Sequence, residues 1–249
     1  MQIGHPVAAE VLASADFEWI CVDAEHTDII VETVSNIFRA FSNTKAVPVV
    51  RVSQNSTIEI RQMLDAGAQG IIVPMVNTRK DAEKAVAAAK YPPRGVRGFG
   101  YCRANQHGAN FDNYISEAND NIFIVAQIEH IEGVKNIDAI LDVDGIDGAF
   151  VGPYDLSGSL DIPGKLDDPR VQKALEDVIA ACQKANKSAG LHVVAPDSEK
   201  IAEAIKKGFT FLALSVDTLF MTQCANECIT KAHSVLKHID STGCVSLCP

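Results

Sequence analysis

The chain of 249 residues carries 22 Lys and Arg against 32 Asp and Glu, which gives a formal net charge of −10. This acidic balance repels a phosphate backbone, and no run of Lys and Arg offsets it, so we expect no nucleic acid partner. No apolar stretch reaches the roughly 18 residues that a membrane-spanning helix needs, and residues 1–10 lack the basic start and apolar block of a signal peptide, so we expect no membrane partner and a cytoplasmic location.

Short runs of β-branched and apolar residues alternate with longer amphipathic segments along the chain. The runs predict seven strands, at residues 19–23, 46–52, 70–74, 122–129, 148–152, 189–194 and 211–215. The amphipathic segments predict helices at residues 6–14, 56–68, 78–90, 168–186 and 197–208. This alternation of strand and helix is typical of a parallel sheet.

An eighth strand at residues 1–4 would complete a (β/α)8 TIM barrel, which is the α/β fold that we expect. A doubly wound open sheet is the alternative, although no Gly-rich dinucleotide fingerprint follows the first strands. No linker or change of composition divides the chain, so we expect one domain over residues 1–249. Residues 91–120 form the longest predicted connection, and loops of that length are usually functional.

The seven cysteines are odd in number and irregular in spacing, which is not the pattern of a disulfide framework. They also lack the tight pairs of a zinc site. We therefore expect free thiols, at Cys21, Cys102, Cys182, Cys224, Cys228, Cys244 and Cys248.

Polar residues stand where several of the predicted strands end. In a parallel barrel the carboxyl ends of the strands form the rim of the active site, so residues far apart in sequence meet there. The predicted rim residues are Asp23, Ala24, Glu25, His26, Arg51, Gln127, Glu129 and Asp155.

Two of these rim residues, Glu129 and Asp155, form a carboxylate pair that suits a hard divalent cation, because Mg²⁺ takes one or two carboxylates and fills its other positions with water and substrate oxygens. Such a cation polarises a carbonyl group and stabilises an enolate. Arg51 offers a fixed positive charge to the same oxyanion, and His26, with Asp23 nearby, is able to move a proton near neutral pH. Each residue also has an ordinary explanation, as a helix cap, a turn residue, an ion-pair partner or a loop histidine.

Six segments of the chain resemble the HpcH/HpaI aldolase family of class II pyruvate aldolases, in the same order and over nearly the whole chain. Members of this type include 4-hydroxy-2-oxoheptanedioate aldolase and 2-dehydro-3-deoxyglucarate aldolase. The segments are FEWICVDAEHTD (17–28), VPVVRV (47–52), LDAGAQGIIVPMV (64–76), YPPRGVRGFG (91–100), AQIEHIEGVKNIDAILDVDGIDGAFVGPYDLSGSLD (126–161) and FTFLALSVDT (209–218).

The resemblance implies a barrel of the phosphoenolpyruvate/pyruvate-binding type. It also implies a metal-dependent aldolase that cleaves a 4-hydroxy-2-oxo acid to pyruvate and an aldehyde through a metal-stabilised pyruvate enolate. The metal would be Mg²⁺ or Mn²⁺, with Co²⁺ as a further candidate. The protein would be a homo-oligomer, a hexamer built as a trimer of dimers, with the last helix exchanged between neighbours.

The family motifs also assign roles to individual residues. Glu129 and Asp155 would bind the metal, and Gln127 and the backbone around Tyr154 and Asp155 would contact pyruvate. A second set would act on the reacting groups: Arg51 would bind substrate and stabilise the enolate, His26 would be the acid/base, Asp23 would orient His26, and Asp65 would support the pKa of His26.

The chain departs from the family pattern in three places. It begins later than family members usually do, so we expect an incomplete first strand. Tyr154 stands before the metal aspartate, where the family has a small residue, and GYCRANQHG (100–108) replaces an Ala- and Ser-rich segment. Because this segment would lie near the aldehyde, Arg103 is a candidate partner for a distal carboxylate of the substrate.

Three alternatives to the aldolase remain open. The same scaffold supports a citrate-lyase-β-like or malyl-CoA lyase activity, although an acidic chain offers few basic residues for the phosphates of CoA. Oxaloacetate decarboxylation would use the same enolate chemistry. A non-catalytic keto-acid-binding descendant would not require Glu129.

Overall fold

The protein is an α/β structure built on one curled parallel sheet. The computed structural model describes residues 1–40, 42 and 44–242, so Cys244 and Cys248 lie outside the described residues. The strands pair in chain order. They are β1 (Trp19–Asp23), β2 (Val47–Arg51), β3 (Gly70–Val73), β4 (Phe123–Ile128), β5 (Gly148–Val151), β6 (Ser188–Val193) and β7 (Phe211–Leu214). All seven predicted strands are confirmed, each end within one residue.

Helices connect the strands on the outer face of the sheet. They are α1 (Pro6–Ala13), α2 (Val31–Ala40), α3 (Thr57–Asp65), α4 (Arg79–Ala89), α5 (Phe111–Asn121), α6 (Ile131–Lys135), α7 (Ile137–Leu141), α8 (Pro153–Ser159), α9 (Pro169–Ala185), α10 (Ser198–Lys207) and α11 (Asp217–Thr242). Local capping fixes several ends. Asp197 accepts a hydrogen bond from the amide of Lys200 at the start of α10, and Gly208 ends that helix in the left-handed conformation.

The prediction of one long loop at residues 91–120 is wrong in part. This segment contains a short 3₁₀ helix at Arg103–Gly108 and the three-turn helix α5. Ala118 is the one fully buried residue of helix α5, and seven of its eleven residues are Asp, Asn, Ser or Glu, so the segment offers few apolar positions by which a helix is recognised.

The prediction of a closed eight-stranded barrel is also wrong for the described residues. Residues 1–4 form no strand. They make only two backbone hydrogen bonds with β1, from the Met1 ammonium to the carbonyl of Cys21 (2.7 Å) and from the amide of Asp23 to the carbonyl of Met1 (3.0 Å). The sheet is therefore a TIM-barrel-like half-barrel, and we call the gap between its first and last strands the β1–β7 seam.

Two hydrophobic cores lie on the two faces of the sheet. The larger one fills the space between the strands and the helices. The smaller one lies inside the curl and contains Val49, Ile72, Val125 and Phe150, with Phe211 packed against them. In the described part of the chain, no helix has the length and apolar character needed to cross a bilayer.

Candidate active site

The carboxyl end of the sheet is held together by an ion pair between its first two strands. Asp23, the last residue of β1, is in register with Arg51, the last residue of β2. The guanidinium donates two hydrogen bonds to the carboxylate, from Nε to Oδ1 at 3.0 Å and from Nη2 to Oδ2 at 2.7 Å. This two-point contact fixes the plane of the guanidinium.

Electrostatics keep both members of this pair ionised. Burial opposes the charge of Asp23, but the hydrogen bonds and charge of Arg51 outweigh it and lower the pKa of the carboxyl. Burial likewise opposes the charge of Arg51, and the hydrogen bonds to Asp23 outweigh it and raise the pKa of the guanidinium. Arg51 thus remains a fixed positive charge at the rim.

Glu25, which the sequence predicts at the rim without a specific role, connects this pair to the next part of the site. Its Oε2 lies 3.2 Å from Nη1 of Arg51 and accepts a long hydrogen bond of 3.5 Å from Nε2 of Gln127. Burial raises the pKa of Glu25, and the charge of Glu129 adds to this effect while Arg51 opposes it. A signal for Glu25 was present, since it lies two residues after Asp23 in the segment DAEH.

Gln127 and Glu129 lie at the end of β4, where both are buried. Nε2 of Gln127 donates to Oε2 of Glu129 at 2.5 Å, and the amide of Met75, just after β3, donates to Oε1 at 2.7 Å. The carbonyl oxygen Oε1 of Gln127 is buried and has no hydrogen-bond partner among the described residues. The orientation of the Glu129 carboxylate is therefore set from two strands.

Asp155 follows β5, after a glycine that packs against Glu129. It lies in the first turn of α8, whose N-cap is Gly152 at the end of β5. A Cβ on Gly152 would lie 3.0 Å from Cβ and 3.2 Å from Oε2 of Glu129, so this backbone passes directly against the glutamate. The side chains of Asp155 and Tyr154 are exposed beside it. Glycine at 152 thus allows the chain to pass against Glu129 just before the turn of α8 that carries Asp155.

This set of donors fits a hard divalent cation. The described residues contain no group of three or more His, Cys, Asp and Glu side chains placed to hold a metal, so a zinc-type site is not formed. Two carboxylates with room for water and substrate oxygens are the set that Mg²⁺ usually takes. Gln127 Oε1 supplies a further unpaired oxygen at the same rim.

His26 lies at the outer edge of the site. Its side chain is 64% exposed, and its Nε2 lies 3.8 Å from Oε2 of Glu25. Asp23 does not contact the imidazole ring. Instead, Oδ1 of Asp23 accepts hydrogen bonds from the amides of Glu25 (3.1 Å) and His26 (3.3 Å) and so shapes the turn that carries the histidine.

Asp65 is not brought to the rim within one chain. It ends α3, which leads into the amino end of β3, at the opposite end of the sheet. Its Oδ1 accepts a hydrogen bond of 2.8 Å from Nη2 of Arg97, whose side chain is fully buried. Arg97 in turn lies over the rings of Tyr91 and Tyr114, with its Cζ 4.6 Å and 5.5 Å from their centroids. The partner of Asp65 is therefore Arg97, and His26 lies at the other end of the sheet.

Arg103 is likewise placed away from the rim, contrary to the expectation that it faces the aldehyde. Its guanidinium donates to the carbonyl of Phe38 at 2.8 Å and to that of Ala66 at 3.3 Å, at the carboxyl ends of α2 and α3. Residues 100–108 fold back over these helix ends. Within one chain, Arg103 is a partner for helix carbonyls.

Comparison with protein families gives one match that covers most of the chain. The model described as HpcH/HpaI aldolase/citrate lyase matches residues 2–224. The 4-hydroxy-2-oxo-heptane-1,7-dioate aldolase of Salmonella heidelberg (strain SL476) is 39% identical over 223 residues, which are 89% of this chain and 84% of that protein. The protein of the same name from Salmonella paratyphi C (strain RKS4594) is 37% identical over 97% of this chain and 91% of its own length.

Solved structures show the same relationship. An HpcH/HpaI aldolase/citrate lyase family protein from Burkholderia cenocepacia J2315 superposes with a TM-score of 0.89 at 30% identity, covering 94% of this chain and 92% of that one. Citrate synthase SbnG superposes with a TM-score of 0.82 at 29% identity, covering 94% and 91%. The citrate lyase beta subunit of M. tuberculosis, solved with oxaloacetate and magnesium, shares the fold at 14% identity and a TM-score of 0.59, covering 88% and 90%.

Proposed function

Because the chain belongs to the HpcH/HpaI aldolase/citrate lyase family and is therefore a carbon–carbon lyase, we propose that it is a class II aldolase that reversibly cleaves a 4-hydroxy-2-oxo acid to pyruvate and an aldehyde. The observation that carries this proposal is the close approach of Gly152 to Glu129, since Gly152 is the N-cap of the helix whose first turn contains Asp155. Relatives named as 4-hydroxy-2-oxo-heptane-1,7-dioate aldolase support it.

Glu129 and Asp155 would hold the divalent cation, Mg²⁺ or Mn²⁺, with Co²⁺ as a further candidate. When bound, the cation polarises the keto group and stabilises negative charge on its oxygen. Support comes from the two oxygen donors of the site and from magnesium in the structure of a distant relative. The amide of Met75 and Nε2 of Gln127 hold the Glu129 carboxylate in place.

The remaining rim residues act on the keto acid and the aldehyde. His26 takes the proton of the C4 hydroxyl, the C3–C4 bond breaks, and its electron pair passes to C3 and the keto group as the pyruvate enolate. Arg51, fixed by Asp23 and Glu25, faces the negative charge that develops on the enolate. A proton then returns to C3 to give pyruvate. Gln127 and the backbone around Tyr154 and Asp155 contact the keto-acid portion of the substrate.

Proton exchange into pyruvate tests the proposal without any choice of aldehyde. We expect the methyl signal of pyruvate in D₂O to disappear by NMR with Mg²⁺ or Mn²⁺, and to persist with EDTA. Glu129→Gln should slow this exchange by at least about 100-fold, because it removes one of the two carboxylates for the cation.

The control is Glu132→Gln, which makes the same change at an exposed position three residues later. It should leave the exchange unchanged. If the folded, metal-loaded protein exchanges no pyruvate protons, pyruvate is not the donor. In that case a lyase activity on an acyl-CoA substrate becomes the favoured function.

For the assembly, we propose a homo-oligomer, a hexamer built as a trimer of dimers with the last helix exchanged between neighbours. Its support is α11, whose 26 residues include exposed apolar side chains. The exposed fractions are 64% for Met221 and 57% for both Ile229 and Val235. An apolar stripe of this length is expected to be covered by another chain.

A further inference from the structure

A histidine that the proposed mechanism does not use faces the inside of the half-barrel. His192 lies on β6, two residues after Gly190. Gly190 packs against the inner core, since a Cβ there would lie 2.4 Å from the ring of Phe150 and 3.0 Å from that of Phe211. Because residues two apart on a strand face the same side, His192 also points inward.

The register places His192 at the level of the carboxylates. Val151 of β5 is paired with Leu191 of β6, so the next pair along is Gly152 and His192. Gly152 is the residue that lies against Glu129. His192 is therefore on the strand next to the proposed cation site and at the same height, with Ala213 of β7 as its partner on the other side.

His192 also lines a cavity of about 160 Å³ that runs from the β1–β7 seam to the interior of the curl. Arg51 and Asp23 line the same cavity, together with Ile72 and Phe150. A keto acid held at the rim by its carboxylate and keto oxygens has one remaining substituent on the keto carbon, which is C3. Because Arg51 belongs both to the rim and to this cavity, the cavity adjoins the rim and is open to a group on that carbon.

The hydrogen bonding of the imidazole fixes which of its nitrogens is free. Nε2 lies 3.0 Å from the carbonyl oxygen of Ser215, and a carbonyl only accepts, so Nε2 carries the proton. Burial lowers the pKa of His192, and the positive charge of Arg51 adds to this while the contact with Ser215 opposes it. The ring is thus neutral near pH 7, and Nδ1 is an acceptor that makes no hydrogen bond with the described residues.

A second unpaired polar atom belongs to Ser215, the residue whose carbonyl oxygen contacts Nε2 of His192. The hydroxyl Oγ of Ser215 is buried and has no partner among the described residues. Ser215 also has a positive φ of 57°, a backbone conformation that residues other than glycine rarely adopt. A methyl group beside Nδ1 of His192 would leave this nitrogen without a hydrogen bond, whereas a hydroxyl group would donate one to it.

We propose that Nδ1 of His192 accepts a hydrogen bond from a hydroxyl group on C3 of the donor keto acid, so that the enzyme prefers a 3-hydroxy-2-oxo acid to pyruvate as donor. This rests on the proposed aldolase function. The chemistry is unchanged: C3 loses a proton, the C3–C4 bond forms, and the aldehyde oxygen gains a proton. A site built to bind a hydroxyl group discriminates strongly against the analogue that lacks it.

Proton exchange at C3 tests this inference, with hydroxypyruvate and pyruvate as the two probes. The measured quantity is the ratio of their exchange rates in D₂O with Mg²⁺, each corrected for the rate without enzyme. His192→Leu should lower this ratio at least about 10-fold, while His192→Gln, which keeps an acceptor, should give an intermediate ratio. Hydroxypyruvate and pyruvate differ in the acidity of their C3 protons, but this difference is the same for every variant. It therefore does not affect the change of the ratio from one variant to another.

Calorimetric binding provides a second measurement. Hydroxypyruvate should bind His192→Leu about 10-fold more weakly, and pyruvate should bind it no more weakly than the unaltered protein. Retained pyruvate exchange shows that the variant is folded.

An unchanged exchange ratio in His192→Leu overturns the role of His192 while leaving the aldolase function in place. Absence of exchange with both keto acids in the unaltered protein overturns the proposed function and this inference together.

Discussion

At the scale of single residues, the rim divides into groups that bind the keto acid and one group that acts on the aldehyde half. Arg51, Gln127 and Glu129 are held by hydrogen bonds among themselves and with Asp23 and Glu25. His26 is separate from this network, because its side chain is mostly exposed and Glu25, at 3.8 Å, is its one ion-pair partner among the described residues. Enolisation and aldol cleavage should therefore depend on different side chains.

Replacement of His26 should separate these two steps. In His26→Asn we expect cleavage of 4-hydroxy-2-oxopentanoate to slow by at least about 100-fold, since general base catalysis contributes that much or more. Exchange of pyruvate protons should fall by less than about 3-fold, because the carboxylates and Arg51 are unchanged. Equal losses in both assays would contradict the proposed role of His26.

The ion pair of Asp23 with Arg51 should make stability depend on pH. The pKa of Asp23 is lowered in the folded protein, so its contribution is present above the ordinary carboxyl pKa and is lost as pH falls through the folded value. We expect Asp23→Asn to lower the free energy of unfolding by about 2 kcal/mol at pH 7, with the difference shrinking as pH falls below about 4. Urea unfolding at several pH values measures this, and a constant difference would contradict it.

At the scale of secondary structure elements, the sequence predicted the strands well because each is a short apolar run that both faces of the sheet bury. It also predicted that Asp23, Arg51, Gln127 and Glu129 lie at or near the ends of strands, and parallel strands bring such residues to one rim. The partner of Asp65 was not predictable, since the pairing with Arg97 joins positions 32 residues apart through the fold of an irregular segment. His192 was also missed, because its strand resembles any other buried strand.

The junction of β5 and α8 should be sensitive to one added carbon atom. In Gly152→Ala the new Cβ would meet Glu129 at 3.0 Å and displace its carboxylate, so the affinity for Mg²⁺ or Mn²⁺ should fall about 10-fold or more. The matched control is Gly158→Ala in the same helix, where an added Cβ meets nothing within 4 Å. Calorimetric titration with Mn²⁺ measures both, and equal affinities would show that Gly152 has no role in placing Glu129.

At the scale of the whole molecule, helix α11 stands out because contacts within one chain leave its apolar side chains exposed. Most of the described side chains in its length are exposed, including the apolar ones. Met221 and Val235 lie on one face of the helix, and Gln223 and Thr230 lie on the opposite face. A helix that offers an apolar face without a partner gains stability mainly when another surface covers it.

Charges placed on the two faces of α11 should have different effects on assembly. We expect the double variant Met221→Glu with Val235→Glu to form smaller species than the unaltered protein in sedimentation velocity, because it would bury two carboxylates at the contact. Gln223→Glu with Thr230→Glu adds the same charge on the other face and should leave the assembly unchanged. Identical distributions for both variants would exclude the apolar face as the contact.

The β1–β7 seam also determines what the tryptophan fluorescence of this protein detects. Trp19 is the only tryptophan in the chain, and its ring stacks on that of Phe211 from the opposite side of the seam, with centroids 4.2 Å apart. Its emission is therefore sensitive to the separation of the first and last strands, whereas circular dichroism follows the helices on the outside. Since different parts of a protein open at different free energies, we expect intrinsic fluorescence to report the parting of these two strands separately from the loss of helix.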